Sequence, residues 1–218
     1  MRAEISAYAE RIEATLTLLR PKRRVKHSAA DSTGFEDRHA SRYFIWRTHQ
    51  TKKGKQPKKP VSYRRYGKLM VLVCCASHLI LAAVASAGPT PDIDQLDELM
   101  GHVTPVVTIE RLVADAGFDS AHNHRLLREE HGIVSTIPPK IGRPTLGGKL
   151  PADPYRRLMK TRFNSKAYRR RPQVETVMSM LKRNFGDCLR GKTYHSRRRD
   201  MLLMVLTHNI AIVFVILT

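Results

Sequence analysis

The sequence predicts a mixed α/β fold in which helices pack on a sheet. Strand-like segments come first along the chain, strands and helices then alternate, and helices complete it, an order typical of this class. The chain has 218 residues, of which 42% are hydrophobic. That is enough for one full domain, or for one domain with a helical appendage.

The appendage is predicted at residues 1–25, before a main domain at residues 26–218. Apolar residues recur at intervals of three and four across residues 2–19, which indicates an amphipathic helix, and a basic connector follows it. Such a helix needs a partner surface, because short helices are marginal in water.

Strands dominate the next part of the chain. A strand-like stretch begins at Val25 and ends in Asp31-Ser-Thr-Gly, residues 43–46 are a candidate second strand, and a basic loop covers residues 47–66. Two apolar runs, Leu69–Val73 and His78–Val84, then predict a hairpin that Gly88 and two prolines end.

Helices and strands alternate after the hairpin. The predicted segments are a short helix over Asp92–Met100, a strand over Val106–Ala114 that ends at Asp115, a helix over Ser120–His131 that stops at Gly132, a strand over Ile133–Ile137, a loop over residues 140–154, and a helix that carries Glu175.

The final segment, Arg197–Leu217, predicts a buried C-terminal helix. Its apolar stretch 201–217 also raises the alternative of a membrane span, but it covers only 17 positions and holds His208 and Asn209 near its centre. A polar pair at that depth is costly in lipid, so a buried core helix fits better.

The net charge is the most informative feature of the composition. Lys and Arg number 39 against 19 Asp and Glu, which gives a net charge of +20 and excludes a typical metabolic enzyme with small substrates. Residues 52–68 and 156–171 each hold eight cations and no acid, whereas residues 92–130 hold nine of the 19 acids. This distribution favours a protein that binds a polyanion such as nucleic acid.

The three cysteines, Cys74, Cys75 and Cys188, form no CxxC pair. Cys74 and Cys75 lie in an apolar run, which predicts buried thiols in a reducing cytosol. A cytoplasmic location is therefore expected.

Three acids in different segments are candidates for a two-metal site, which needs carboxylates that converge from separate elements. They are Asp31, Asp115 and Glu175. Each has a structural alternative: Asp31 also suits a turn, Asp115 can open a turn with Asp119 as a helix cap, and Glu175 can pair with Arg171 on a solvated helix face. His122 and His124 lie two residues apart and do not share a helix face, which argues against a histidine site.

Glu175 lies in a group with regular spacing, Tyr168, Arg171, Glu175 and Lys182. At 3.6 residues per turn these side chains would share one helix face. The apolar stripe beside them predicts a helix that docks rigidly on a core, and it comprises Val174, Val177, Met178 and Leu181.

These motifs resemble those of the DDE transposases of bacterial insertion sequences, the group typified by insertion sequences four and five. The resemblance covers about residues 26–215. The matching motifs are Asp31-Ser-Thr-Gly, Ala114-Asp115-Ala-Gly-Phe-Asp119-Ser, Ile137-Pro-Pro with Gly142-Arg-Pro, and Tyr168-x2-Arg171-x3-Glu175-x6-Lys182.

The resemblance implies a ribonuclease-H-like catalytic domain in which Asp31, Asp115 and Glu175 bind two Mg²⁺ or Mn²⁺ ions. It implies that Tyr168, Arg171 and Lys182 contact transposon-end DNA near the cleaved phosphate. The expected partners are double-stranded DNA, both transposon ends and target, and a second copy of the chain, because two ends must be joined. The expected location is cytoplasmic and associated with the nucleoid, with no membrane.

The chain departs from the family pattern in two ways. Pro172 stands where relatives usually carry an aromatic residue, so either the helix starts at about Pro172 or it kinks there. Relatives also carry a DNA-binding helical domain before the first aspartate, and only about 30 residues precede it here, which predicts an N-terminally shortened transposase. The alternatives are a DNA-binding remnant without catalytic activity and a nuclease of the same fold.

Overall fold

The structure is a computed structural model that describes residues 24–37, 66–103, 107–140 and 150–217. The predicted helix over residues 2–19, the candidate strand 43–46 and nearly all of the basic loop 47–66 lie outside these ranges, as do residues 141–149. These predictions, and the division at residue 25, therefore stay predictions.

A mixed sheet forms the centre of the fold. Its strand order is β4-β3-β2-β6-β7, with β8 paired to the end of β2, and β1 and β5 form a separate parallel pair. The hairpin β3–β4 and the pair β2–β3 are antiparallel, whereas β6 and β7 run parallel to β2. The strands are β1 Arg24–Val25, β2 Ser28–Asp37, β3 Gly67–Cys74, β4 Ile80–Ala87, β5 Thr108–Ile109, β6 Arg111–Ala114, β7 Val134–Thr136 and β8 Cys188–Leu189.

Helices pack on this sheet, so the predicted mixed α/β fold is confirmed. The helices are α1 Leu96–Gly101, α2 Ala121–Arg125, α3 Pro154–Thr161, α4 Ser165–Tyr168, α5 Pro172–Phe185 and α6 Tyr194–Leu217. Short 3₁₀ turns precede α1 and α2, and a π-helical turn over Leu126–Glu130 continues α2 to Gly132, whose φ of 66° suits the predicted stop.

The core lies around β3, because every residue of this strand is buried. Helices α5 and α6 contact each other and both pack on β3, and α1 also packs on β3 and β4. The predicted apolar stripe of α5 is buried in this layer. A continuous apolar strand of this kind needs cover on both faces.

Two strand predictions were wrong in their bounds. The predicted strand 106–114 is divided into β5 and β6 at Glu110, whose backbone N–H donates to Val25 and whose carbonyl accepts from Val134. The predicted end in Asp31-Ser-Thr-Gly is also wrong, because β2 continues to Asp37, paired with β3 as far as Phe35 and then with β8. Tertiary pairing thus overrides the turn preference of Ser-Thr-Gly.

The C-terminal helix α6 is buried along one face only. The residues of this face are Met201, Leu202, Val205, His208, Asn209 and Val213. The opposite face exposes Leu203, Ile210 and Phe214. Within the ranges described, no helix has the length and apolar character needed to cross a membrane.

The polar pair inside α6 fastens this helix to the hairpin. Asn209 accepts a hydrogen bond from the Ile80 N–H at 2.9 Å and donates one to the Ile80 carbonyl at 2.8 Å. His208 Nε2 donates to the carbonyl of His78 at 2.9 Å. The two residues therefore satisfy backbone groups at the start of β4, which explains their place in an apolar helix.

Replacing Asn209 with leucine should destabilise the protein. The change keeps the branched shape and the number of side-chain heavy atoms but leaves the buried N–H and carbonyl of Ile80 without their partner, at a cost of about 1–3 kcal/mol for each group. We expect urea denaturation to show a free energy of unfolding lower by about 2–4 kcal/mol. Thr207→Ala, an exposed change on the same helix, should stay within about 0.5 kcal/mol of wild type; equal losses would contradict this account.

Stability should also fall as the pH drops below the ordinary histidine range. Burial lowers the pKa of His208, and this effect outweighs the opposing hydrogen bond to the His78 carbonyl. The unfolded chain therefore binds protons first as the pH falls through about 6.5, which favours unfolding. In His208→Gln, the loss of unfolding free energy between about pH 7.5 and 5.5 should be smaller than in wild type. The exposed His131→Gln should keep the wild-type pH dependence.

Candidate active site

Asp31 lies in the interior of the central strand β2. Its Cα partner on β3 is Val71, and its side chain is 16% exposed. Its Oδ1 accepts a hydrogen bond from the Ser32 N–H at 2.8 Å, which leaves Oδ2 for a contact outside the strand. The carboxylate therefore projects from a rigid, paired backbone.

Asp115 follows β6 directly, as predicted. The last register pair between the parallel strands β2 and β6 is Ala30 with Ala114, so Asp31 and Asp115 are the next positions on neighbouring strands. Asp115 is exposed and its Oδ1 accepts from the Ala116 N–H at 2.7 Å, which caps the following 3₁₀ turn. Asp115 therefore opens a turn, as its structural alternative has it, and it also lies beside Asp31; its role as a metal ligand stays a prediction.

Glu175 joins the site through Arg171. Helix α5 begins at Pro172 and Glu175 lies in its first turn. Arg171 Nη2 contacts Asp31 Oδ2 at 2.8 Å, and Nη1 contacts Glu175 Oε1. A single guanidinium thus connects the carboxylates of β2 and α5. Of the two alternatives for Pro172, the helix start is confirmed.

The turn of the β3–β4 hairpin holds the segment around Arg171 in place. His78 Nε2 lies 2.7 Å from Gln173 Oε1, and Cys75 Sγ donates to the Arg170 carbonyl at 3.7 Å. The hairpin turn therefore contacts the chain on both sides of Arg171, at the backbone of Arg170 and at the side chain of Gln173. Cys75 is a buried thiol, as predicted, and burial raises its pKa to about 12, which keeps it unreactive.

The charges of neighbouring side chains act on the Asp31 carboxyl group. Burial raises the pKa of Asp31, the Ser32 N–H and Arg171 lower it, and the carboxylates of Asp92 and Asp115 raise it. This accumulation of negative charge favours a bound cation.

Tyr168, the last residue of α4, is affected by the charges of the same acids. Burial raises the pKa of its phenol, Arg171 lowers it, and Asp115, Asp31 and Glu175 raise it. Its ring packs edge-on against Phe163 with centroids 5.2 Å apart. The charges of all three predicted acids therefore act on the phenol of Tyr168.

Lys182 lies farther from the carboxylates. Its Nζ is 5.6 Å from the centroid of the Phe35 ring, four residues beyond Asp31 along β2. At about 3.3 Å per residue, four positions of a strand span roughly 13 Å. The four residues of the spaced motif do not share one helix face, because the chain changes from α4 to α5 between Tyr168 and Glu175.

Asp92 is a fourth acid that the sequence interpretation placed only in a helix turn. Ser32 Oγ donates to Asp92 Oδ1 at 2.6 Å, and Lys68 Nζ lies 2.5 Å from the same oxygen. Lys68 is only 5% exposed and also donates to the Thr90 carbonyl. A lysine within an apolar strand needs an acidic partner, and this signal in the sequence could have identified Asp92.

The alternative of a helix cap at Asp119 does not hold, because Ser120 caps α2 through its hydroxyl. Asp119 is instead buried and accepts two hydrogen bonds from Arg156, at 2.9 and 2.8 Å, and one from the Lys140 N–H at 2.9 Å. Burial alone would raise the pKa of Asp119, but these hydrogen bonds hold it below its usual value. His124 Nε2 lies 3.4 Å from the same carboxylate, and His124 Nδ1 lies 2.7 Å from Ser135 Oγ.

Across the part of the chain that the structure describes, no three His, Cys, Asp or Glu side chains form a group that could hold a metal ion. The position of Arg171 explains this for the predicted acids. Because one of its nitrogens contacts Asp31 and another contacts Glu175, a guanidinium already lies between these carboxylates.

A known protein family matches most of the chain. The family described as Transposase DDE domain matches residues 26–210 of the chain. None of the curated proteins compared with the chain matches it.

Two solved structures are similar to this chain at low levels. They are the catalytic core domain of BIV integrase, with a TM-score of 0.40, 15% identity and 82% of both chains covered, and a pre-cleavage Mos1 transpososome, with a TM-score of 0.28, 14% identity and 95% of this chain and 62% of that chain covered. The predicted ribonuclease-H-like fold is confirmed by the sheet itself, with its antiparallel β2–β3–β4 and its parallel β6 and β7 on the other side of β2.

The Asp119–Arg156 pair should matter for stability. Arg156→Met removes both hydrogen bonds and leaves a buried carboxylate without its cation, which costs about 3–5 kcal/mol in buried pairs. Arg156 is 33% exposed, so we expect a loss of about 2–3 kcal/mol in the free energy of unfolding, measured by urea denaturation. Arg157→Met, at the exposed neighbouring position, should cost less than about 0.5 kcal/mol. If both variants lose the same amount, the pair does not contribute as described.

Proposed function

Because this chain belongs to the transposase DDE domain family, we propose that it cuts and rejoins DNA strands at transposon ends, as a member of the group typified by insertion sequences four and five. In this proposal Asp31, Asp115 and Glu175 are the catalytic carboxylates. The observation that supports it best is the shared Arg171, which contacts Asp31 and Glu175, while Asp115 lies at the next position beside Asp31.

The three acids suit Mg²⁺ or Mn²⁺. All their donor atoms are carboxylate oxygens, which these ions prefer, and a cationic group already lies between two of them. Asp31 and Asp115 would hold two ions, with Glu175 completing the second position. When bound, the ions would activate a water or a 3′ hydroxyl and stabilise the leaving oxygen.

The protein side chains around these acids would orient the DNA. Arg171 would bind a phosphate as a bidentate fork, and Lys182 would act on a phosphate farther along the strand, since it lies near Phe35 rather than Asp31. Tyr168 would contact the same DNA through its phenol. These roles need no covalent protein intermediate.

Exposed cations near the site would bind DNA whatever its base sequence. The segment from α3 to the start of α5 exposes Arg157, Lys160, Arg162, Lys166, Arg169 and Arg170. Such contacts release counterions, so DNA affinity should fall steeply as salt rises. The proposed partners are transposon-end and target DNA and a second copy of the chain, in the nucleoid of the cytoplasm.

Asp115→Asn provides the sharpest test. Asparagine can still cap the turn after β6, so the fold should persist while a carboxylate is lost. With Mg²⁺ and supercoiled DNA, we expect nicking to fall more than about 100-fold, because even indirect partners of metal ligands contribute 10- to 100-fold. Asp97→Asn, at an exposed position on α1, should nick like wild type.

The same assay separates the alternatives. If the wild-type protein binds DNA but does not nick it, the proposed enzymatic activity is wrong, and a DNA-binding remnant is favoured. Nicking without joined products, on a donor plasmid with terminal inverted repeats, would favour a nuclease of the same fold.

A further inference from the structure

Arg171 occupies an unusual position for a side chain expected to bind DNA. Its two terminal nitrogens contact the carboxylates of Asp31 and Glu175, and it is only 21% exposed. Its Nε is buried and finds no hydrogen-bond partner among the residues that the structure describes. Each terminal nitrogen of the guanidinium therefore donates to an acid, whereas the buried Nε–H has no such partner.

A guanidinium and a divalent ion compete for the oxygens of the same carboxylates. Charge-assisted hydrogen bonds of this kind are short and strong, and the oxygens that face Arg171, Asp31 Oδ2 and Glu175 Oε1, are less available to a metal. The present contacts of Arg171 therefore oppose the binding of a metal ion between these two acids.

The surroundings allow the side chain to move while the backbone stays in place. Arg171 precedes the first helical residue Pro172, and contacts of Cys75 and His78 fix the chain on both sides of it. The long side chain can rotate about its own bonds without unwinding α5. Arg169 and Arg170 lie exposed beside it, so a phosphate drawn to this segment would meet the displaced guanidinium.

We propose that Arg171 is an internal counter-cation that closes the metal site until DNA arrives. It compensates part of the charge of Asp31 and Glu175 in the free protein, and a DNA phosphate then binds the guanidinium and releases both carboxylates to divalent ions. This inference depends on the proposed function for the identity of the metal site. It adds that metal and DNA bind cooperatively, and such coupling is reciprocal.

The test measures binding of Mn²⁺ alone, without DNA, by isothermal titration calorimetry. Arg171→Gln should bind Mn²⁺ about tenfold or more tightly than wild type, because the competing cation is gone. Arg183→Gln removes the same charge at an exposed position of α5 and controls for the loss of net charge; it should change the affinity by less than about threefold. Arg171→Lys retains a cation without the bidentate fork, so its affinity should lie between those of wild type and Arg171→Gln.

Asp31→Asn distinguishes the two possible failures. If it weakens Mn²⁺ binding while Arg171→Gln binds like wild type, the counter-cation is disproved and the metal site stands. If wild type and Arg171→Gln both show no saturable Mn²⁺ binding, the metal site of the proposed function fails as well. A tighter Arg171→Gln that loses Mn²⁺ on adding Asp31→Asn supports the inference.

Discussion

Acidic side chains that lie against a buried sheet must be compensated by cations, and in this fold other elements of the chain provide those cations. Each of three such acids has a basic partner from another element of the chain. These pairs are Asp31 with Arg171, Asp92 with Lys68, and Asp119 with Arg156. The large positive charge of the chain is therefore not confined to its surface. Part of it is used inside the fold, where it holds elements together.

The acids and the groups that hold them come together around strand β2. Its antiparallel neighbour β3 provides Lys68, and its parallel neighbour β6 ends at Asp115. The hairpin turn beyond β3 holds the chain on both sides of Arg171. Because Asp31 is paired with Val71 on β3 and directly follows the last residue that β2 pairs with β6, its backbone has little freedom, and the groups around it adapt instead.

The sequence predicted the fold class and most of its elements, because apolar runs, stop residues and the apolar stripe of α5 are local signals. It also identified the acids that the structure brings together. It failed where pairing with a distant strand decided the outcome, as in the extension of β2 beyond Asp31 and the break at Glu110. Asp119 shows the same limit: its partner Arg156 lies 37 residues away, and no local spacing indicates that contact.

The junction at Pro172 changes what the motif spacing means for insertions and deletions. Within α5, one extra residue between Glu175 and Lys182 would rotate the lysine by about 100° away from Phe35. The interval between Tyr168 and Arg171 instead corresponds to the short connection between α4 and α5. Length changes in natural relatives should therefore be found before α4, where the chain can absorb them, and be rare between Arg171 and Lys182, where each added residue changes the direction of a side chain.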